Sequence, residues 1–126
     1  MAAKTTLDTL YLINDSNRIV SIEIIVGDQG QTSTLSISLD KEDIVSNHIG
    51  NLPKTTIQEN KLLHGKSLKI QATITDTSKE TNVTSLNIKL SGGFLTRNYP
   101  LYKMVDSDGD SADYYCNIEF FNPSNS

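Results

Sequence analysis

The chain has 126 residues, the usual length of one domain and too short for two ordinary ones. The net charge is −4 and the 11 Lys and Arg residues are scattered, which argues against nucleic acid or an anionic membrane surface as a partner. Apolar runs are shorter than the roughly 20 residues that span a bilayer, and Met1 is not followed by an apolar leader. These features predict a cytoplasmic protein, with signal-independent secretion or a lost leader as alternatives.

Apolar and polar residues alternate along most of the chain, as in strands that bury one face and expose the other. After a short apolar run from Leu10 to Ile13, the alternating apolar positions are Ile22, Ile24 and Val26, then Leu35, Ile37 and Leu39, then Leu68, Ile70, Ala72 and Ile74, then Leu86, Ile88 and Leu90. Two more strands are predicted over residues 99–105 and 114–121. Strands with one apolar face favour antiparallel pairing.

Turn-forming residues separate these runs. The segment Gly27-Asp28-Gln29-Gly30 predicts a hairpin loop, and the segment 106–110 predicts a turn before the last strand. Polar residues 75–82 predict an exposed loop. Residues 1–6 and 122–126 are expected to form flexible termini.

The segment from Asp40 to Pro53 departs from the alternation. Asp40 can cap a helix whose first turn would contain the acidic residues Glu42 and Asp43. We therefore expect at most one short helix, near residues 41–48. The whole pattern predicts a single all-β domain over residues 1–126. Its expected architecture is an antiparallel β-sandwich of seven to eight strands, immunoglobulin-like or jelly-roll-like.

The segment 106–113 contains four carboxylates that could supply oxygen ligands to Ca²⁺: Asp106, Asp108, Asp110 and Asp113. Its spacing departs from an EF-hand loop, because Gly109 is the fourth residue rather than the sixth. An Asp-Gly turn with side-chain-to-backbone hydrogen bonds is the preferred interpretation. Ca²⁺ is kept as a possible ligand, and no other cofactor is indicated.

The residues that could act in catalysis have no supporting motif in the sequence. The single cysteine, Cys116, lies in an apolar strand, where a thiol is expected to be buried and inert. His48 and His64 have no second ligand at metal-binding spacing and are expected to be solvated. The sequence contains neither a Gly-x-Ser-x-Gly motif nor a phosphate-binding loop. We therefore expect a protein that is not an enzyme.

Seven of the eight aromatic residues lie in the last third of the chain. Because Tyr and Arg are enriched at binding surfaces, a candidate ligand or partner surface comprises Phe94, Arg97, Asn98, Tyr99, Tyr102 and Tyr115. The alternative is that the rings fill one end of the core.

Together these features favour a non-catalytic binding or assembly module that acts through contacts with a protein partner or by self-association. One alternative is a carbohydrate- or small-ligand-binding module, assisted by Ca²⁺ in the acidic segment. Another is a small enzyme whose site is assembled from distant residues. Nucleic acid is not an expected partner.

Overall fold

A computed structural model describes residues 3–27, 31–76, 83–106 and 109–125. These residues form nine strands, numbered in chain order: β1 Ala3–Leu12, β2 Ile19–Val26, β3 Gln31–Leu39, β4 Glu42–Ile49, β5 Leu52–Glu59, β6 Ser67–Asp76, β7 Val83–Ser91, β8 Arg97–Met104 and β9 Ser111–Phe121. Two single-turn 3₁₀ helices cover Asn60–Leu62 and Pro123–Asn125. Neither is long or apolar enough to cross a membrane, and the described part of the chain contains no other helix.

The strands form two sheets, and the prediction of an all-β sandwich is confirmed. The first sheet has the order β1-β9-β6-β3-β4, and the second has the order β5-β2-β7-β8. Every pairing is antiparallel except that of β1 with β9, which is parallel. The nine strands exceed the predicted number, because β4 and β5 were not expected.

The core lies between the sheets and follows the alternation in the sequence. In β7, Leu86, Ile88 and Leu90 are fully buried, while the residues between them are partly or fully exposed. β9 contributes large buried side chains on its inner face, including Tyr114, Ile118 and Phe120. This burial of apolar surface is the main stabilising contribution to the sandwich.

The short helix expected near residues 41–48 is wrong, because Glu42–Ile49 forms strand β4 and pairs with β3. Asp40 adopts a left-handed backbone conformation (φ 51°) in the turn between the two strands. Its carboxylate accepts a hydrogen bond from the backbone N–H of Ser67 at 2.9 Å. The side chain that would have capped a helix therefore fixes the start of β6.

The predicted hairpin at residues 27–30 is also wrong, because β2 lies in the second sheet and β3 in the first. The segment 106–110 precedes β9 as predicted, with Gly109 in a turn, but β8 and β9 lie in different sheets, so it does not close a hairpin. Alternation predicts which face of a strand is buried. It does not predict which sheet the strand joins, because the inner faces of both sheets pack against the same core. Residues 28–30 and 107–108 lie outside the described residues.

Parts of both predicted flexible termini are built into the fold. Residues 4–6 belong to β1 and pair with residues 113–115 of β9. Asn122 is buried, and its side-chain amide donates a hydrogen bond to the Asp15 carboxylate at 2.7 Å. Of the predicted loop over 75–82, Thr75 and Asp76 end β6, and the remainder lies outside the described residues.

Candidate partner-binding surface

Large apolar side chains are exposed at one corner of the sandwich, where β1 meets the loop between β7 and β8. Leu10 and Leu12 of β1 are 51% and 43% exposed, and Phe94 and Leu95 of the loop are 52% and 63% exposed. Together with Arg97, they line a shallow cleft of about 80 Å³. We call Leu10, Leu12, Phe94 and Leu95 the apolar corner.

The sequence of β1 explains why two leucines face outward. Residues 10–13 are all apolar, so this part of the strand has an apolar side chain on both faces. Tyr11 and Ile13 point inward and are buried. Leu10 and Leu12 must then point to the outer face, because successive side chains of a strand alternate.

Hydrogen bonds between β1 and the loop hold the apolar corner in place. The Tyr11 hydroxyl donates to the carbonyl oxygen of Leu95 at 2.7 Å and accepts from the N–H of Gly93 at 3.0 Å. The N–H of Phe94 donates to the carbonyl oxygen of Leu12 at 3.1 Å. A Cβ atom at position 93 would lie only 2.6 Å from that carbonyl oxygen, so the close approach requires glycine.

A tyrosine and an arginine border the cleft on the β8 side. The Tyr99 hydroxyl donates to the carbonyl oxygen of Leu10 at 3.3 Å. Burial raises the pKa of Tyr99, although a hydrogen bond to Arg97 opposes the shift. The hydroxyl therefore remains a donor at neutral pH. Arg97 is exposed and adds a positive charge to the rim of the cleft.

The predicted ligand surface is divided among three places. Phe94, Arg97 and Tyr99 meet at the apolar corner. Asn98 and Tyr102 project from the exposed face of β8. Tyr115 lies on the outer face of the first sheet.

The ligand surface predicted from the sequence does not include Leu10, Leu12 or Leu95. For the two β1 leucines a usable signal was present, namely the loss of alternation over residues 10–13. That signal marks a strand with two apolar faces, but it does not say whether the second face is covered by protein.

A second groove of about 230 Å³, which we call the polar groove because polar side chains border it, lies on the outer face of the first sheet. It contains a tyrosine ring, two side-chain amides and a carboxylate, which come from Tyr115, Gln71, Asn117 and Asp8. The ammonium of Lys4 lies 4.9 Å from the centre of the Tyr115 ring, within the range of a cation–π contact. This combination of groups can hydrogen-bond and stack against a polar ring such as a sugar.

The candidate Ca²⁺ ligands are not gathered into one site in the part of the chain that the structure describes. Asp113 accepts a hydrogen bond from the Thr73 hydroxyl at 2.8 Å, and Asp106 is exposed. Asp108 lies outside the described residues. Among the residues that the structure describes, no group of three or more His, Cys, Asp or Glu side chains is placed to hold a metal ion. Binding of Ca²⁺ stays a prediction.

The side chains of the cysteine and of the two histidines are in contact with neighbouring parts of the fold. Cys116 is buried, and burial together with the nearby Asp8 carboxylate raises the pKa of its thiol to about 12, so the reactive thiolate is disfavoured. His48 Nε2 lies 2.8 Å from the carbonyl oxygen of Asn51. His64 Nδ1 accepts a hydrogen bond from the N–H of Asn122 at 3.0 Å.

The described residues thus define an all-β sandwich with an exposed apolar corner and a polar groove on the outer face of its first sheet. Comparison with models of protein families, with curated proteins and with solved structures finds no match to this chain.

Proposed function

We propose that this protein is a non-catalytic binding module that acts through protein–protein contacts at the apolar corner. The observation that carries the proposal is the clustering of Leu10, Leu12, Phe94 and Leu95, each more than two-fifths exposed, around one cleft. Single exposed apolar residues are ordinary on protein surfaces, but a contiguous group bordered by polar residues is typical of an interaction site.

The hydrogen bonds of Tyr11 and Phe94 support the same proposal. They fix the β7–β8 loop against β1, so little conformational entropy remains to be lost when a partner binds. A preformed apolar cleft with Arg97 at its rim suits a peptide segment that carries large apolar side chains and a nearby carboxylate. The charge would orient the segment, and burial of the leucines and Phe94 would supply most of the affinity.

Selection from a random displayed-peptide library tests the proposal without knowledge of the natural partner. Enriched peptides should combine large apolar residues with an acidic one, and synthetic versions should bind the wild-type protein in a calorimeter. The variants Phe94→Ser and Leu95→Ser should weaken that binding at least about tenfold, or ~1.4 kcal/mol. Tyr102→Ser is the matched control, because Tyr102 is 67% exposed but lies on the outer face of β8.

Circular dichroism establishes that each variant is folded before binding is compared. Two results would overturn the proposal. One is a library that yields no binding peptide, and the other is a set of peptides whose affinity is the same for the wild type and for the Phe94 and Leu95 variants.

The polar groove supports a second candidate function, that of a carbohydrate-binding module. The specific observation is the exposed Tyr115 ring beside the Gln71 and Asn117 amides, which resembles the ring-and-amide arrangement that saccharides require. A glycan array would test it, with Tyr115→Ala expected to abolish any specific signal. Addition of Ca²⁺ should raise the melting temperature only if the acidic segment 106–113 takes part as a ligand site.

A further inference from the structure

The N-terminal half of β1 presents an unpaired backbone edge. Within the described ranges, β1 has β9 on one side and no strand on the other. The carbonyl oxygens of Leu10 and Leu12 point away from β9, because they accept hydrogen bonds from Tyr99 and Phe94. The N–H of Ile13 instead donates to β9, at the carbonyl oxygen of Phe121.

Backbone groups alternate sides along a strand, so the even-numbered residues of β1 all direct their N–H and C=O groups away from β9. For Leu10 and Leu12, the loop and β8 cover that side. For Lys4, Thr6 and Asp8, no backbone hydrogen bond from a described residue occupies that side. The side chains of these three residues are also exposed, on the outer face of the first sheet.

The other three sheet edges carry features that discourage strand addition, such as bulges and prolines. β4 is bulged against β3 and contains Asn47 in a left-handed conformation (φ 51°). β5 contains Pro53 and is bulged against β2, and β8 contains Pro100. β1 instead keeps an unbroken register with β9 over its whole length and contains no proline. It is the edge best suited to accept another strand.

The charges on this edge favour one particular occupant, a second copy of β1 running antiparallel. Lys4 and Asp8 lie two residues to either side of Thr6. If the two strands pair about Thr6, each Thr6 lies opposite the other, and each Lys4 lies opposite an Asp8. Opposite charges at directly facing positions stabilise a strand pair, and like charges destabilise it. Pairing about Lys4 or about Asp8 would place like charges opposite each other.

We propose that the protein forms a two-fold symmetric dimer by antiparallel pairing of its β1 strands, centred on Thr6. The outward N–H and C=O groups of Lys4, Thr6 and Asp8 would then all be paired between the copies. The two first sheets would become one continuous sheet. The contact uses the N-terminal half of β1 and leaves the apolar corner free, so it does not depend on the proposed function.

Sedimentation velocity over a range of protein concentrations tests the dimer. The wild-type protein should show a concentration-dependent shift from monomer to dimer. Lys4→Asp and Asp8→Lys should each raise the dimer dissociation constant about tenfold, because each change puts like charges opposite each other twice per dimer. The double variant Lys4→Asp/Asp8→Lys should restore the wild-type constant, since it exchanges the charges without removing their complementarity.

Thr6→Pro perturbs the dimer in a second way, because it removes the outward backbone N–H of Thr6 at the centre of the proposed strand pairing. Proline is tolerated at such a position of an edge strand, so the pairing of β1 with β9 should survive. Glu23→Lys, on β2 of the other sheet, is a control charge change that should leave the dimer intact.

A wild-type protein that stays monomeric up to the highest concentration it tolerates would overturn the proposal. A dimer unaffected by either single charge variant, or one weakened by both but not restored in the double variant, would also overturn it. Circular dichroism spectra identical to that of the wild type would confirm that each variant retains its fold.

Discussion

A buried hydroxyl pair joins the two sheets, and its energetics can be worked out from its geometry. Thr84 of β7 and Tyr114 of β9 are both fully buried, and their oxygen atoms lie 2.6 Å apart. The Thr84 hydroxyl donates its hydrogen to the carbonyl oxygen of Lys103 at 2.7 Å. Because a hydroxyl has a single hydrogen, the Tyr114 hydroxyl must be the donor to Thr84.

Because Tyr114 is the donor and Thr84 the acceptor, Tyr114→Phe and Thr84→Val should lower the free energy of unfolding by different amounts. Tyr114→Phe removes one donor, and Thr84 keeps its bond to Lys103, so we expect a loss of about 1 kcal/mol in the free energy of unfolding. Thr84→Val conserves the shape but removes the acceptor of the buried Tyr114 hydroxyl, whereas the Lys103 carbonyl keeps the Thr84 backbone N–H that faces it in the β7–β8 ladder. An unsatisfied buried group costs roughly 1–3 kcal/mol, so the expected loss is about 2 kcal/mol.

The double variant distinguishes this explanation from a simple packing effect. In a Tyr114→Phe background, Thr84→Val should cost only about 1 kcal/mol, because the tyrosine hydroxyl is already absent. The two substitutions should therefore be non-additive by about 1 kcal/mol. Equilibrium unfolding in urea near neutral pH, analysed by linear extrapolation, measures all four free energies. Additivity to within about 0.3 kcal/mol, or a Tyr114→Phe loss as large as that of Thr84→Val, would refute the assigned donor direction.

Two further predictions concern buried polar groups. The buried Asn60 side-chain amide donates to the carbonyl oxygens of Arg18 and Gly92, both at 2.9 Å, and accepts from the N–H of Asn14. Asn60→Ala should therefore lower the free energy of unfolding in urea by about 2–4 kcal/mol. A loss below about 0.5 kcal/mol would show that water replaces these bonds. The raised pKa of Cys116 means that folding favours the thiol, so its contribution to stability is complete below about pH 9 and is lost as the pH rises toward 12. Between about pH 8 and pH 10.5, the wild type should therefore lose more stability than Cys116→Ala, and equal losses would contradict the shift.

The predictable part of the fold was the part determined by residues close together in sequence. Alternation identified the buried faces of β2, β3, β6, β7 and β9, because a strand with one apolar side must turn that side toward the core. It could not assign a strand to a sheet, since an inner face fits equally well in either one. The hairpin predicted at residues 27–30 failed for this reason.

The strands that were missed have weaker local signals. In β4, only Ile44 and Val45 pack against the core, and the strand is bulged, so its apolar residues do not alternate regularly. The Asp40 carboxylate does accept a backbone hydrogen bond, as a helix cap would. The donor is the N–H of Ser67 at the start of β6, however, and not an N–H of a helix that follows Asp40. A capping residue predicts a helix only when no tertiary partner competes for its side chain.

Both proposed contacts lie on β1, and its position in the fold explains why. In the parallel pairing with β9 the odd-numbered side chains of β1, among them Tyr11, point inward, so the even-numbered side chains point to the outer face of the sheet. The composition of those outward positions changes along the strand, from Lys4, Thr6 and Asp8 to Leu10 and Leu12. The charged half is suited to a backbone contact whose register the charges select. The apolar half is suited to a side-chain contact whose affinity comes from burial. A one-residue shift of β1 against β9 would exchange inner and outer faces and abolish both surfaces together, so the parallel register is the feature on which each depends.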